Sequence, residues 1–243
     1  MGEHIVTSAV DVLQVLEQLD DYVFFRGHGN ASWPLLPSIG RTYSIAGNES
    51  LLVEGYEDWK TLESDLLERF CKYSLPFLQE RPSKKLEWLV LAQHHGLPTR
   101  LLDWNSNPLK ALFFAVENPT QKTDGAVWAF APDGWWTDLS KVESEIDESE
   151  YVYPWLPDHS NARIAAQEGC FTIFPLPSNT RPLLPLNAAG AHKFVGFAEK
   201  WVIPAASKAR LRIELTKLGI THQTLFPGLD GLATRIRRDF DLP

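Results

Sequence analysis

Ten polar residues of this sequence have the types and placement to do chemistry: Arg26, His28, His94, His95, Thr99, Arg100, Asp103, Arg163, Gln167 and Glu168. Arg26 and His28 follow the apolar run Tyr22 to Phe25, the middle set falls in QHHGLPTRLLDWNSN (93–107), and the last set falls in RIAAQEGC (163–170). Guanidinium forks bind phosphate oxygens in pairs, and rings such as Trp104 or Phe25 can stack on a base. Several arginines converging with aromatics therefore suit a phosphorylated, planar ligand. An arginine leaving an apolar strand needs a partner or an anion, because burying it alone is costly. Gly27 would let the backbone approach a ligand or turn sharply. The structural alternatives are a paired arginine at a strand end, and an Arg100–Asp103 pair that closes its own loop.

Other chemistries lack their residues. The sequence has no GxxxxGK[ST] loop, no GxGxxG after a strand, no HExxH and no GxSxG. His94 and His95 are adjacent, and neighbours on a helix point about 100° apart, so they are not expected to share a metal ion. Cys71 and Cys170 lie far apart with no CxxC, which reads as two free thiols in a reducing cytoplasm. The net charge of -8 and pI of 5.4 argue against general DNA binding, which depends on phosphate neutralisation. The N-terminal stretch lacks a basic n-region and a long apolar h-region, and no apolar run reaches the length of a membrane span. A cytoplasmic protein is expected, with no membrane partner.

The elements that must position these residues read as one α+β domain over 1–243, with 20–235 as its recognisable core. A mixed or antiparallel sheet is expected at the centre with helices around it. Ser8 with Asp11 approximates a capping box for a helix over about 9–20. Tyr22 to Phe25 reads as a buried strand. Residues 29–50 read as loop, with Trp33 either covering a pocket or tucked against the core. Helices are expected over 51–73 and 84–94, with Gly96 as C-cap. Residues 93–107 read as a polar loop fixed by the helix that follows, where Asn107 is the N-cap and Pro108 the first helical residue. GAVWAF (125–130) and CFTIF (170–174) read as strands, 137–150 as a surface helix or mobile loop, 151–159 as loop and 161–167 as a short helix. In the tail, the alternation in HKFVGFAEKWVIP predicts a strand. Helices are then expected from Pro204 to Gly219 and in the last segment.

Four blocks carry a resemblance: FRG at 25–27, QHHGLPTRLLDWNSNPLKALFFA at 93–115, RIAAQEGCFT at 163–172 and GITHQTLFPGLDGLA at 219–233. The chain resembles the FRG-domain family. More remotely its layout resembles the ADP-ribosyltransferase superfamily, which implies a matching fold. It also implies NAD as a substrate, a protein or nucleic-acid acceptor, or water, and the action of a bacterial toxin or antiphage effector. On that resemblance Arg26 matches the arginine ending the first core strand. Thr99 to Asp103 followed by Ala111 to Ala115 matches the second motif, a strand followed by a helix, without its usual Ser-Thr-Ser. Gln167-Glu168 matches the third, although no Q-x-E or E-x-E stands there. The implied catalytic set is Glu168 or Asp103 as the carboxylate with Gln167 orienting. Arg26, Gly27, His28, His95, Thr99, Arg100, Trp104 and Arg163 would hold the nucleotide. A non-catalytic module binding a nucleotide or a nucleic-acid end is the alternative.

Overall fold

The computed structural model describes residues 3–19, 23–41, 55–118, 121–132, 142–143, 146–148, 150–157, 166, 168–188 and 195–240. Among them are seven β-strands and seven α-helices, in an α+β arrangement around one mixed sheet. The strands are β1 (Glu3–Ile5), β2 (Phe24–His28), β3 (Leu101–Asn105), β4 (Gly125–Pro132), β5 (Tyr153–Trp155), β6 (Gly169–Ile173) and β7 (Val195–Ile203). Their order is β1-β7-β4-β2-β3-β6-β5. Only the β1–β7 pair is parallel; the other ladders are antiparallel.

The helices are α1 (Ala9–Leu16), α2 (Trp59–Ser74), α3 (Lys85–His94), α4 (Pro108–Val116), α5 (Lys208–Lys217), α6 (His222–Leu225) and α7 (Leu229–Asp239). Local signals explain their ends. The Ser8 hydroxyl and Asp11 carboxylate form a reciprocal capping box at α1. Asn107 accepts from the Leu109 N–H at 3.0 Å and Pro108 opens α4. Gly96 (φ 84°) and Gly219 (φ 79°) take the left-handed turn that stops α3 and α5.

Burial divides the sheet. Phe25, Val127, Ala129, Trp201 and Ile203 pack with the apolar face of α4, and α1 and α5 close that layer. Leu102, Trp104, Trp128 and Phe130 pack on the other side with Leu35, Ile39 and Trp59. Leu101, Phe171 and Ile173 join Leu86 and Leu89 of α3 in a third cluster. β2 and β3 therefore sit in the middle of the sheet, covered on both sides.

Three sequence expectations need correction. Leu101–Asn105, which the residues alone read as loop, is a central strand paired in full with β6, as the strand motif at Thr99 to Asp103 in the remote resemblance implies. Tyr153–Trp155 is an edge strand, where Pro154 is tolerated because one side of the strand needs no partner. The described part of the acidic segment is docked. Val142 and Ile146 are buried, and the Glu143 carboxylate accepts the N–H groups of Lys85 (3.2 Å) and Leu86 (2.5 Å), capping α3 from a distance. The helix expected over 161–167 falls, apart from residue 166, outside the described residues.

Candidate functional site

The β2–β3 ladder consists of a single residue pair, Phe25 with Asn105, reinforced by the Asn105 amide donating to the Phe25 carbonyl at 3.3 Å. Beyond it the strands part, and the Arg26 side chain fills the gap. Its Nη1 donates to the Asp103 carbonyl at 2.6 Å and lies 2.8 Å from Asp103 Oδ1, while its Nε donates to His28 Nε2 at 3.1 Å. A side chain thus supplies the hydrogen bond that a strand partner would have made. Leaving that carbonyl unpaired in the sheet would be costly.

Two adjoining cavities open on this gap, of about 270 and 180 Å³, and both are lined by Arg26, Arg41, Asp103 and Asn105. The larger lobe adds Gln93, His94 and Phe171. The smaller adds His28, Trp33 and Phe114, and Trp33 stands edge-on to the His28 ring at 6.2 Å. Arg41 ends the short 3-10 turn Ser38–Arg41. Its Nε and Nη2 donate to the Leu36 carbonyl at 3.0 and 2.7 Å, which turns the guanidinium to the cleft wall.

The charges in the cleft are biased. Asp103 is crowded by protein atoms, although 48% of its side chain stays open to the cavity. Withdrawal from bulk water works to raise its pKa, but the Arg26 charge and hydrogen bond, helped by Arg41, prevail and hold it below the ordinary carboxylate value. Burial and the charges of Arg26 and Arg41 push the His28 imidazole down to about 3, so it is neutral at physiological pH. With Nε2 accepting from Arg26, its proton sits on Nδ1, which has no hydrogen bond of ordinary geometry even though the nearby Trp33 backbone favours a proton there. Arg41 falls to about 10 through burial and the Arg26 charge, and remains cationic.

Gln93 links the floor to its support. Its Oε1 accepts from the Thr99 hydroxyl at 2.5 Å, which fixes the amide so that Nε2 donates to Asp103 Oδ1 at 3.3 Å.

Residues 21–124 match the FRG domain. The chain carries an FRG domain over these residues. No curated protein and no solved structure matches the chain. The FRG match holds Arg26, Arg41, Gln93 and Asp103, whereas β4 to β7, and the blocks at 163–172 and 219–233, lie beyond it.

Of the residues singled out from sequence, the FRG domain brings Arg26, Gly27, His28, His94 and Asp103 to the cleft. Gly27 serves packing there: a Cβ would lie 1.9 Å from the Ala111 carbonyl oxygen, so the glycine lets α4 press on β2. Thr99 is buried and acts through Gln93. Trp104 touches the larger lobe, but its ring is committed to the core. It stacks on Phe130 at 4.9 Å and donates to the Thr172 hydroxyl at 3.1 Å, so it is not available to a base. Phe25 is likewise buried, against Trp201 at 5.4 Å.

Arg100 points away from the cleft and pairs with Glu63, not with Asp103. Its Nε donates to both Glu63 oxygens at 2.8 Å, Nη2 also contacts Glu63, and Nη1 donates to the Ile146 carbonyl at 2.9 Å. His95 is exposed and faces Phe70 at 6.4 Å; the lobe is lined instead by His94. Glu168 does not line either lobe. It lies opposite Ser106, just past the end of β3 and three residues from Asp103, or roughly 10 Å away. Its carboxylate takes the Lys110 Nζ at 2.7 Å and the Ser106 hydroxyl at 3.0 Å. Gln167 and Arg163 lie outside the described residues.

Arg41 and Gln93 were missed. Arg41 stood before a Gly/Asn-rich stretch read as loop. Gln93 carried a usable signal, since it lies one residue before the histidine pair in the most distinctive block.

Proposed function

We propose that the β2–β3 cleft binds a nucleotide, and that the protein is an NAD-consuming enzyme of the ADP-ribosyltransferase kind, either a transferase or a glycohydrolase. The observation that carries this reading is the pairing, among the described residues, of two guanidiniums, Arg26 and Arg41, with a single carboxylate, Asp103, on the wall shared by both lobes. With His28 neutral, the described residues of the cleft keep a net positive charge that suits a diphosphate. The aromatic wall of Trp33 and Phe114 suits the nicotinamide ring.

In the reaction, the bond from nicotinamide nitrogen to the ribose anomeric carbon breaks and its electron pair leaves with nicotinamide. The ribose carbon gains oxocarbenium character, as in glycoside cleavage. An ionised carboxylate stabilises that charge, and among the described residues Asp103 is the one that the cleft offers. Water, or a nucleophile on a protein or nucleic acid, then adds at the carbon and gives up its proton to solvent. Glu168 is a weaker candidate because it lines neither lobe.

The test is incubation of purified protein with NAD, following free nicotinamide, beside Arg26→Ala and Asp103→Asn. Release that both substitutions abolish supports the enzyme. Release that survives both would sink it.

One observation favours a second reading, a binding module without turnover. Asp103 is already engaged by Arg26, and Glu168 by Lys110. That reading expects saturable NAD or nucleotide binding with no nicotinamide released.

A further inference from the structure

The smaller lobe is walled by Trp33, which stands at the end of a short loop leaving β2. Within the loop, Asn30 Oδ1 accepts the Ser32 N–H at 2.9 Å and the Ser32 hydroxyl at 2.8 Å, and the Trp33 N–H donates to the Asn30 carbonyl at 3.2 Å. The turn is compact, but these bonds do not tie it to the rest of the protein. Two others do. The Ala31 N–H donates to the Asp124 carbonyl at 2.7 Å, and the Lys208 Nζ donates to the Gly29 carbonyl at 2.6 Å.

Lys208 is an unusual residue to spend on such a bond. It is 1% exposed, at the first position of α5. Its stem packs on Gly125, where a Cβ would come within 3.2 Å of Lys208 Cε. Asp124, whose charge favours the ammonium, also accepts the Ala205 N–H at 2.8 Å and so holds the turn that leads into α5. Burying an ammonium is costly unless it has partners. The position is one where a hydrophobic residue would cover Gly125 equally well, so the ammonium is explained by the loop that it holds.

We propose that Lys208 is a positioning residue for the nucleotide cleft: by holding Gly29 it sets the Trp33 wall, so the binding unit extends past the FRG match into α5. This rests on the reading of the cleft as a nucleotide site. Its consequence is that Lys208 governs how well the planar end of the ligand is held, without touching the atoms that react.

The test uses the full chain in two measurements. The first does not depend on NAD. The nine tryptophans are labelled with 5-fluorotryptophan, and the Trp33 fluorine signal is assigned by its loss in Trp33→Phe. Lys208→Met, which keeps the stem and removes the donor, is expected to shift or broaden the Trp33 signal. Lys208→Gln, whose N–H donor ends one bond short of the Nζ position, should preserve it only in part. Lys208→Leu is a second variant without the donor, used if Lys208→Met fails to fold. An unmoved Trp33 signal in whichever of the two folds overturns the proposal.

The second measurement is NAD turnover. Lys208→Met should raise KM about tenfold, the size of one lost aromatic contact, with kcat little changed. In a Trp33→Ala background it should add almost nothing, because the wall it positions is gone. A kcat loss at unchanged KM, or full additivity with Trp33→Ala, overturns the positioning role. If the Trp33 signal moves as expected but neither protein binds or cleaves NAD, the NAD reading fails while the positioning of Trp33 stands.

Discussion

Arg26 reaches Asp103 twice, donating to its backbone carbonyl at 2.6 Å and meeting its carboxylate at 2.8 Å. One guanidinium therefore does two jobs. It closes the sheet where the β2–β3 ladder stops, and it holds the cleft carboxylate ionised. The two functions can be separated by substitution. Arg26→Lys keeps a charge but loses the fork geometry. It should retain most of the stability and lose most of the ligand affinity, whereas Arg26→Ala should lose both. Thermal melts and NAD titration of the two variants check this. Equal affinity in wild type and Arg26→Lys would show that the fork does not hold the ligand.

The same pair gives a pH dependence with a definite sign. Asp103 is held below its ordinary value of 3.8, so the folded state favours the carboxylate. The stability it contributes is fully present above that ordinary value and is lost as pH falls through the lower folded value. In Arg26→Ala the main cause of the lowering is gone and burial is opposed only by the weaker Arg41 charge and a backbone hydrogen bond, so the Asp103 pKa should rise. A carboxyl carbon titration of Asp103 by NMR in both proteins reads this directly; a pKa that stays put would remove Arg26 as its cause.

His28 acts in a higher window. Its ordinary value is 6.5 and the fold pushes it to about 3 through burial and the charges of Arg26 and Arg41. Between these values the unfolded chain takes up a proton that the folded chain refuses, so stability falls as pH drops through that range. The loss is on the order of 4 kcal/mol once pH nears the folded value. His28→Gln keeps an acceptor for the Arg26 Nε but does not titrate. The melting temperature of that variant should fall less than that of wild type between pH 7 and pH 4. Parallel curves would show that His28 carries none of the acid sensitivity.

What could be read from the sequence, and what could not, follows from where each signal is stored. Ser8 with Asp11, and Asn107 with Pro108, are local hydrogen-bond devices, and both helices begin where these residues said. The family blocks led to Arg26 and Asp103, and the α+β architecture followed from the order of apolar runs. β3 was hidden because Asp103 and Asn105 are poor strand formers in isolation; the β6 ladder overrides that preference. The direction of Arg100 was hidden for a different reason. Its partner Glu63 is 37 residues away on α2, a distance that no local pattern spans. Arg41 became visible only when the turn Ser38–Arg41 brought it beside Arg26.

Arg100 offers a test of that long-range pairing. Both Arg100 and Glu63 are about 1% exposed. Removing one partner leaves a buried charge unmatched, and Arg100→Met alone should cost about 3–5 kcal/mol. Replacing both, with Arg100→Met and Glu63→Leu, should recover much of that loss. Asp147 and Lys85, which also contact the pair, set how complete the recovery is. Denaturant titrations give the energies. The double variant should also keep its nucleotide affinity, since Arg100 points away from the cleft; a well-folded double variant that no longer binds would return Arg100 to the ligand.

Gln93 supplies the last prediction. The Thr99 hydroxyl fixes its amide, and the amide then donates to the Asp103 oxygen at 3.3 Å, a weak bond beside the 2.8 Å contact from Arg26. Its effect on the Asp103 charge should therefore be small, and its effect on carboxylate orientation larger. Gln93→Glu leaves Thr99 an acceptor but sets a second carboxylate against Asp103, which should raise the Asp103 pKa by repulsion. Gln93→Leu removes both bonds and leaves the Thr99 hydroxyl buried without its acceptor, at a stability cost of about 1–3 kcal/mol. If Asp103 is the carboxylate that faces the ribose, the pH profile of nicotinamide release should move upward in Gln93→Glu. In Gln93→Leu the profile should keep its position while kcat falls. A profile that is the same in wild type and Gln93→Glu, with NAD still bound, would show that Asp103 is not the group whose ionisation the reaction needs.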